Sequence, residues 1–329
     1  MQTRTLGRTG RTVSIIGLGT WQLGADWGEV DEADALAVLD AAFDSGVTLF
    51  DTADVYGDGR SESLIGRWLR AHPDADVTVA TKMGRRMPQE PENYSLEHFR
   101  AWTDRSRANL GVDTLDLVQL HCPPTSVYAD DRAFDALDTL VEEGAIANYG
   151  VSVEQVEEAL AAIARPNVAT VQIILNAFRL KPLDEVLPAA REAGVGIIAR
   201  VPLASGLLSG RYTLDTRFAE NDHRNFNRHG ESFDVGETFS GVDYETGVRA
   251  ASEFAELAHD AAPERTPAQV ALAWVSMQKG VSSVIPGART PEQARANAAA
   301  GSLELPEDFE ASVRELYDRE IRTQVHGRW

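Results

Sequence analysis

Residues 31–51 read DEADALAVLDAAFDSGVTLFD, and the way this stretch changes period decides the fold. From Asp31 the apolar residues recur at helical spacing, up to the stop at Gly46. VTLFD then follows as a short apolar strand. The same helix-then-strand unit repeats along the chain: ESLIGRWLRAH then VTVATK, SLEHFRAWTDRSRANLG then LDLVQLH, DDRAFDALDTLVEEG then AIANYGVS. It continues with VEQVEEALAAIA then ATVQIIL, LDEVLPAAREAG then VGIIAR, and PAQVALAWVSMQKG then VSSVIPG. With SIIGLGT as the first, that makes eight strands, each followed by a helix. Strands so apolar on both faces suit a buried parallel sheet. Eight β/α units in 329 residues predict an α/β protein, a closed (β/α)8 TIM barrel.

Around this frame, TRTL and TVSIIGL flank GRTG, which predicts an N-terminal β-hairpin over residues 1–16. PEQARANAAAG and PEDFEASVRELYDREI read as extra helices at the C-terminal end. No linker divides the chain, so 1–329 is expected to be one barrel domain. Residues 203–242, which include DHRNFNRHG, form the one long irregular segment. A loop of that length in a compact domain is expected to serve the active site.

The composition narrows the function. The formal net charge is −20, and so acidic a chain is a poor binder of nucleic acid or anionic membrane, which need a basic face. Any anionic ligand must be held by a local site. A single cysteine, Cys122, excludes an intrachain disulfide and fits a reducing compartment. The stretch MQTRTLGRTGRTVS has no apolar core of signal-peptide length, and no run of about twenty apolar residues predicts a membrane span. A cytoplasmic location is expected. The oligomeric state is not legible.

A barrel of this kind places its active site at the C-terminal ends of the strands. The residues standing there are Gly19-Thr20-Trp21, Asp51, Lys82, His121, Ser152, Gln172 with Asn176, Arg200, and Gly287 with Arg289. Taken singly, each has a structural reading: Asp51 as a turn residue, Lys82 as a solvated cation, His121 as a satisfied histidine, Tyr56 as loop packing. Their joint placement points elsewhere, because Asp51, Lys82 and His121 end consecutive strands and Tyr56 lies on the loop leaving the first of them. Such a set suits proton donation by a tyrosine. A free phenol has a pKa of about 10, and a neighbouring ammonium lowers it. Lys82 would supply that charge, Asp51 would hold Lys82, and His121 would orient a carbonyl oxygen. Tyrosine cannot supply hydride, so a nicotinamide cofactor is required.

In this order, DTADVYGDGRSESLIG, VATKMG, LVQLH and VIPGART resemble an aldo-keto reductase, and the resemblance runs from GLGTWQLG to the last strand. It implies reversible, NADPH-dependent reduction of aldehydes or ketones, with Asp51, Tyr56, Lys82 and His121 as the catalytic tetrad and NADH open as a second cofactor. It also implies an extended cofactor across the barrel mouth. Gly19, Thr20 and Trp21 would border the nicotinamide ribose, Ser152 and Gln172 would hold the carboxamide, and Arg200, Pro202 and Leu203 would follow the seventh strand. Ser152 also fits a capping box with Gln155. Arg200 stands where many members stack an aromatic ring; a guanidinium can stack too, and as a cation it would disfavour the oxidised nicotinamide. Gly287 and Arg289 would meet the adenosine phosphate, with Gln293 and Asn297 toward the adenine. Thr290 caps the helix that begins at Pro291.

Trp21, Trp27, Tyr56, Met83, His121, Cys122 and Phe226 would line the substrate pocket, with His326 to Trp329 as a lid. The cluster Arg224, Arg228 and His229 reads either as an anion selector or as a charged surface loop. Asp54 and Asp58 read as turn residues, and Ser61 as the cap of the next helix. Three other readings compete. A dinucleotide fold fails, because GLGTWQ lacks the third glycine and opens no helix. A metal-dependent hydrolase lacks HxH and HExxH, and no metal is expected. A non-catalytic, cofactor-sensing channel subunit can retain the tetrad, and turnover with an aldehyde separates it from an enzyme.

Overall fold

Strands β1 (Thr3–Thr5) and β2 (Thr12–Ser14) pair antiparallel, Thr3 opposite Ser14. The hairpin plugs one end of the barrel. Its Leu6 and Val13 are wholly buried in one cluster with Leu49, Ala80, Leu117, Ile198 and Ile285. Close approach at this plug demands glycine: at Gly7, with φ +51°, a Cβ would lie 2.1 Å from the Gly196 nitrogen. The computed structural model describes residues 1–24 and 30–329.

Eight parallel strands follow: β3 (Leu18–Gly19), β4 (Leu49–Asp51), β5 (Thr78–Met83), β6 (Leu117–His121), β7 (Tyr149–Ser152), β8 (Val168–Ile174), β9 (Gly196–Arg200) and β10 (Val281–Val284). Each pairs with its sequence neighbours. Bridges at Ile16–Val284 and Gly19–Gly287 join the last strand to the first and close the barrel. Register carries the side chains to one level: Lys82 lies opposite Gln119, His121 opposite Ser152, and Ser152 opposite Gln172. Helices α1 (Glu32–Asp44), α2 (Arg60–Ala71), α3 (Leu96–Leu110), α4 (Asp131–Glu142), α5 (Val156–Ile163) and α6 (Val186–Ala193) cover the first part of the sheet.

The remainder differs in part from expectation. Within 203–242 the chain forms α7 (His223–Phe226), capped by Asp222. The 18-residue α8 (Tyr244–Ala261) occupies a stretch in which no helix was expected. Asp243 caps it by accepting from the Thr246 nitrogen at 3.0 Å. Its buried face carries Gly247, Ala250, Ala251, Phe254 and Ala258, at helical spacing. Helices α9 (Pro267–Met277), α10 (Pro291–Ala299), α11 (Phe309–Leu316) and α12 (Arg322–Val325) complete the chain. Thr290 caps α10 as expected, accepting from the Gln293 nitrogen. Ser152 does not cap α5: Gln155 and Glu158 form that capping box, three residues further on. Ser61 does not cap α2 either, because Gly59 holds that position and the Ser61 hydroxyl is tied to Thr20 and Thr52 inside the protein. Among the described residues no helix is long and apolar enough to cross a membrane.

Candidate active site

Alternation along the strands aims the site. On β5, Ala80 points into the barrel, so Lys82 does as well, while Thr81 and Met83 point out toward the helices. Leu49 and Asp51 share the inward face of β4, and Leu117, Gln119 and His121 that of β6. At the base of the mouth the Lys82 ammonium, 1% exposed, donates to Asp51 Oδ1 at 2.5 Å and to the Thr52 carbonyl at 2.8 Å. It also donates to the Tyr56 hydroxyl at 3.3 Å. The other Asp51 oxygen accepts from Gln172 Nε2 at 2.7 Å and Gln119 Nε2 at 3.3 Å. Tyr56 reaches the rim because the chain turns sharply after it. Gly57 has φ +58°, and a Cβ there would sit 2.2 Å from the Gly24 carbonyl oxygen. The His121 ring stands edge-on to Tyr56, with centroids 6.0 Å apart.

Burial governs the protonation of this group. It pushes the Tyr56 hydroxyl above its ordinary 10.0; the Lys82 ammonium pulls the value down, and Asp51 adds to the rise. The lowered phenol expected from the sequence is therefore reversed in sign, because loss of hydration outweighs the lysine. Burial also lowers Lys82, but Asp51 and Tyr56 outweigh it and hold the ammonium above 10.5. His121 lies well below 6.5, driven by burial and then by Arg85, Lys82 and Arg200, so its ring is neutral. A protonated phenol and a neutral imidazole can both donate a hydrogen bond to a carbonyl oxygen.

The mouth opens into a cavity of about 680 Å³, within the usual range for a ligand site. Gly19, Thr20, Trp21, Asp51, Tyr56, His121, Ser152, Gln172, Arg200, Pro202, Leu203, Gly287, Arg289, Gln293 and Asn297 all border it. Lys82 lies behind Asp51 and does not. Gln172 already serves Asp51, Gln293 Oε1 accepts from the Arg289 backbone nitrogen at 2.8 Å, and Asn297 donates to the Gly287 carbonyl at 3.1 Å. Three pocket expectations are corrected. Met83 faces outward, its sulfur accepting from Thr103 of α3. Cys122 follows the inward His121 with φ +47° and sits behind Arg200, off the cavity wall. Phe226 is 39% exposed on α7, and Phe233, which it touches edge-on, takes the wall instead. Trp27 lies outside the described residues. No residue of 326–329 borders the cavity, so that segment is not a lid.

The 203–242 segment does border the cavity, through residues not singled out from the sequence, His223, Phe233 and Glu237. Trp21 packs on Tyr56, His223 and Phe233, giving an aromatic side. Glu237, from the same segment, pairs with Arg200 at 2.6 Å, and Arg85 faces Glu154 at 3.4 Å. The carboxylate of Glu237 cancels the Arg200 charge, which removes the expected bias against an oxidised nicotinamide. Glu154 is raised to about 7 by burial and then by Glu237. Cys122, Glu154 and Glu237 come within 4.8 Å of one another, and both carboxylates are engaged by these arginines. Arg224 borders the cavity and is held bidentately by Asp222, while Arg228 lies over the Tyr244 ring. Asp54 lies in a turn, as expected, but it is wholly buried, and neither carboxyl oxygen has a hydrogen-bond partner among the described residues.

A closed barrel, a long groove across its mouth and a buried tyrosine–lysine–aspartate group at one end define the class, a barrel oxidoreductase. Residues 15–318 match the family described as the aldo/keto reductase family. The aldo-keto reductase str7 of Strobilurus tenacellus is 33% identical, over 96% of this chain and 92% of its own. A glycerol dehydrogenase from Gluconobacter oxydans superposes with a TM-score of 0.77 at 29% identity, covering 94% and 93%. An aldo/keto reductase from Klebsiella pneumoniae, solved with NADP and acetate, gives 0.71 at 26%, covering 96% and 95%. The chain belongs to the aldo/keto reductase family, whose reaction is NAD(P)H-dependent interconversion of carbonyls and alcohols.

Proposed function

We propose that this chain reduces a small aldehyde or ketone with Tyr56 as the general acid. The observation that carries the reading is the contact chain Tyr56–Lys82–Asp51, at 3.3 and 2.5 Å, at the end of the cavity. Lys82 opposes the rise in the Tyr56 pKa, easing proton release, and Asp51 with its two glutamine donors holds Lys82 in place. Neutral His121 and the Tyr56 hydroxyl orient the substrate oxygen, and the group on Trp21 and Phe233 excludes water from the carbonyl.

The residues fit an extended dinucleotide. The near end of the cavity is polar and matched in charge at Arg200 and Glu237. The far end carries Arg211, Arg289 and the N-termini of α9 and α10. There Arg289 and the α10 N-terminus would hold a 2′-phosphate, favouring NADPH over NADH; Gly287 and Ala288 stand where the family has lysine and serine. Bound in this groove, NADPH would supply the hydride. The substrate is small, since Tyr56 and His121 lie at the aromatic end. One barrel spanning 1–329, with 203–242 as its active-site loop and a cytoplasmic location, completes the reading. A net charge of −20 argues against a nucleic-acid partner.

A panel of aldehydes and ketones with NADPH and NADH, run beside Tyr56→Phe, tests the proposal. Turnover by the parent, and a loss of about 10²-fold or more in the variant, are expected. Full activity in Tyr56→Phe would overturn the assignment. Tight NADPH binding with negligible turnover by the parent would favour the sensor reading.

A further inference from the structure

Trp329 is 5% exposed and borders no part of the cavity, yet it is built into the segment that does. Its indole nitrogen donates to Asp234 Oδ1 at 2.9 Å, and the same oxygen accepts from the Gly236 nitrogen at 2.7 Å. The Arg179 guanidinium covers the ring at 3.7 Å from its centre, while Arg179 also donates to the Ser240 carbonyl at 3.4 Å. The backbone is shaped around the ring. A Cβ at Gly236 would come within 3.0 Å of Cε2, and one at Gly241 within 2.2 Å of Cη2. Between those two contacts stands Glu237, which pairs with Arg200 at the end of β9. From the other side Ser205 Oγ donates to the Glu237 carbonyl at 3.1 Å and accepts from the Phe239 nitrogen at 3.0 Å.

We infer that Trp329 is a positioning residue for the cofactor site: by clamping residues 234–241 it presents Glu237 to Arg200. The ring fixes the backbone on both sides of Glu237, and the Asp234 contact fixes the turn that begins the segment. Without the clamp the Glu237 carboxylate loses its fixed distance to Arg200, and the guanidinium keeps its donation to the Val153 carbonyl at 3.0 Å but loses its anionic partner. The effect then falls on cofactor binding more than on proton transfer, because Tyr56, Lys82 and Asp51 share no contact with Trp329. The inference rests on the reductase reading for the identity of the ligand but not for the clamp itself.

The test compares the parent with Trp329→Phe, Trp329→Ala, Glu237→Gln and the double variant Trp329→Phe/Glu237→Gln. Trp329→Phe keeps a ring and removes the indole donor. Hydrogen exchange over 234–241 is read without cofactor, and NADPH affinity by calorimetry. Faster exchange and a Kd for NADPH raised roughly threefold to tenfold are expected in Trp329→Phe, the scale of one lost hydrogen bond. The KM for NADPH should rise more than kcat falls. The double variant should bind no more weakly than its weaker parent, because both changes act through one contact. Additive losses, or unchanged exchange and affinity in Trp329→Phe, overturn the inference. If Trp329→Ala does not fold, Trp329→Phe decides alone. If the parent fails to bind NADPH, the reductase reading falls, and unchanged exchange over 234–241 in Trp329→Phe would separately sink the clamp.

Discussion

Replacing Lys82 with methionine separates two jobs that one side chain performs. Lys82 is 1% exposed and Asp51 3%, so the substitution leaves a carboxylate in the barrel without its counter-charge. Breaking a buried pair from one side costs about 3–5 kcal/mol. The amides of Gln172 and Gln119 still donate to Asp51, which places the expectation near the lower figure. For 329 residues the unfolding entropy is roughly 0.7 kcal/mol/K, so a loss of about 3 kcal/mol lowers the thermal midpoint by about 4 °C. Adding Asp51→Asn removes the stranded charge and keeps an amide in the same space, so the double variant should regain most of that midpoint. Carbonyl reduction should not return: Tyr56 has lost the cation that does most to oppose its rise in pKa, and a fall in kcat of about 10²-fold or more is expected in both variants. Thermal melts and NADPH oxidation with a simple aldehyde, run on the same preparations, read the two effects. Recovery of activity together with stability in the double variant would refute the proposed role of Lys82. An unshifted midpoint in Lys82→Met would refute the claim that the pair is a buried charge balance.

Two further outcomes concern pH. With His121 held well below 6.5 and Tyr56 above 10.0, neither group changes charge between pH 6 and about 9, so a titration of reduction in that range should come from Glu154, raised to about 7, and not from His121; a titration near 6.5 that disappears in His121→Asn would contradict it. Asp54 is raised from 3.8 to about 7, chiefly by burial and then by Glu62, so the folded chain keeps a proton that the unfolded chain releases. Stability is therefore lost as pH rises from about 4 to 7, by roughly 4 kcal/mol at most. Asp54→Asn should melt higher than the parent at pH 8 and no higher at pH 4.5, and curves that run parallel would show that the carboxyl does not titrate in the fold.

Much of the site was legible because the barrel has only two strand faces. Once the strand ends are located, alternation sends Asp51, Lys82 and His121 inward together, and the same parity sends Met83 to α3. Applying the alternation one residue further would have removed Met83 from the pocket, whereas Cys122 lies past the strand at φ +47°, which parity does not describe. The α8 helix, by contrast, was legible and overlooked: Gly247, Ala250, Ala251, Phe254 and Ala258 recur at helical spacing, and Asp243 and Glu245 mark its start. The parts that stayed hidden depend on contacts between distant positions. Nothing local to Arg200 announces Glu237, and nothing local to Glu237 announces Trp329; each is an ordinary surface-type residue or terminal aromatic until the 203–242 segment folds over the barrel. Likewise, the sign of the Tyr56 shift depends on how much water the fold removes, which spacing does not encode.

The distribution of charge explains how a chain of net charge −20 can present a groove to a polyanion. Apart from Arg224, which Asp222 holds, the arginines that border the cavity fall into two groups. Arg85 and Arg200, at the reacting end, face Glu154 and Glu237, so their charge is offset there, fully by Glu237 and in part by Glu154, which is raised to about 7. Arg211 and Arg289, at the other end, form no ion pair among the described residues, and α10 adds the positive end of its dipole. Acidic groups elsewhere are screened beyond about 8 Å at physiological salt, so these nearby cations set the potential that a phosphate meets. The proposed orientation of the cofactor follows from that asymmetry: the phosphates go to the end where positive charge is uncompensated, and the end with matched pairs is left to the ring beside Tyr56.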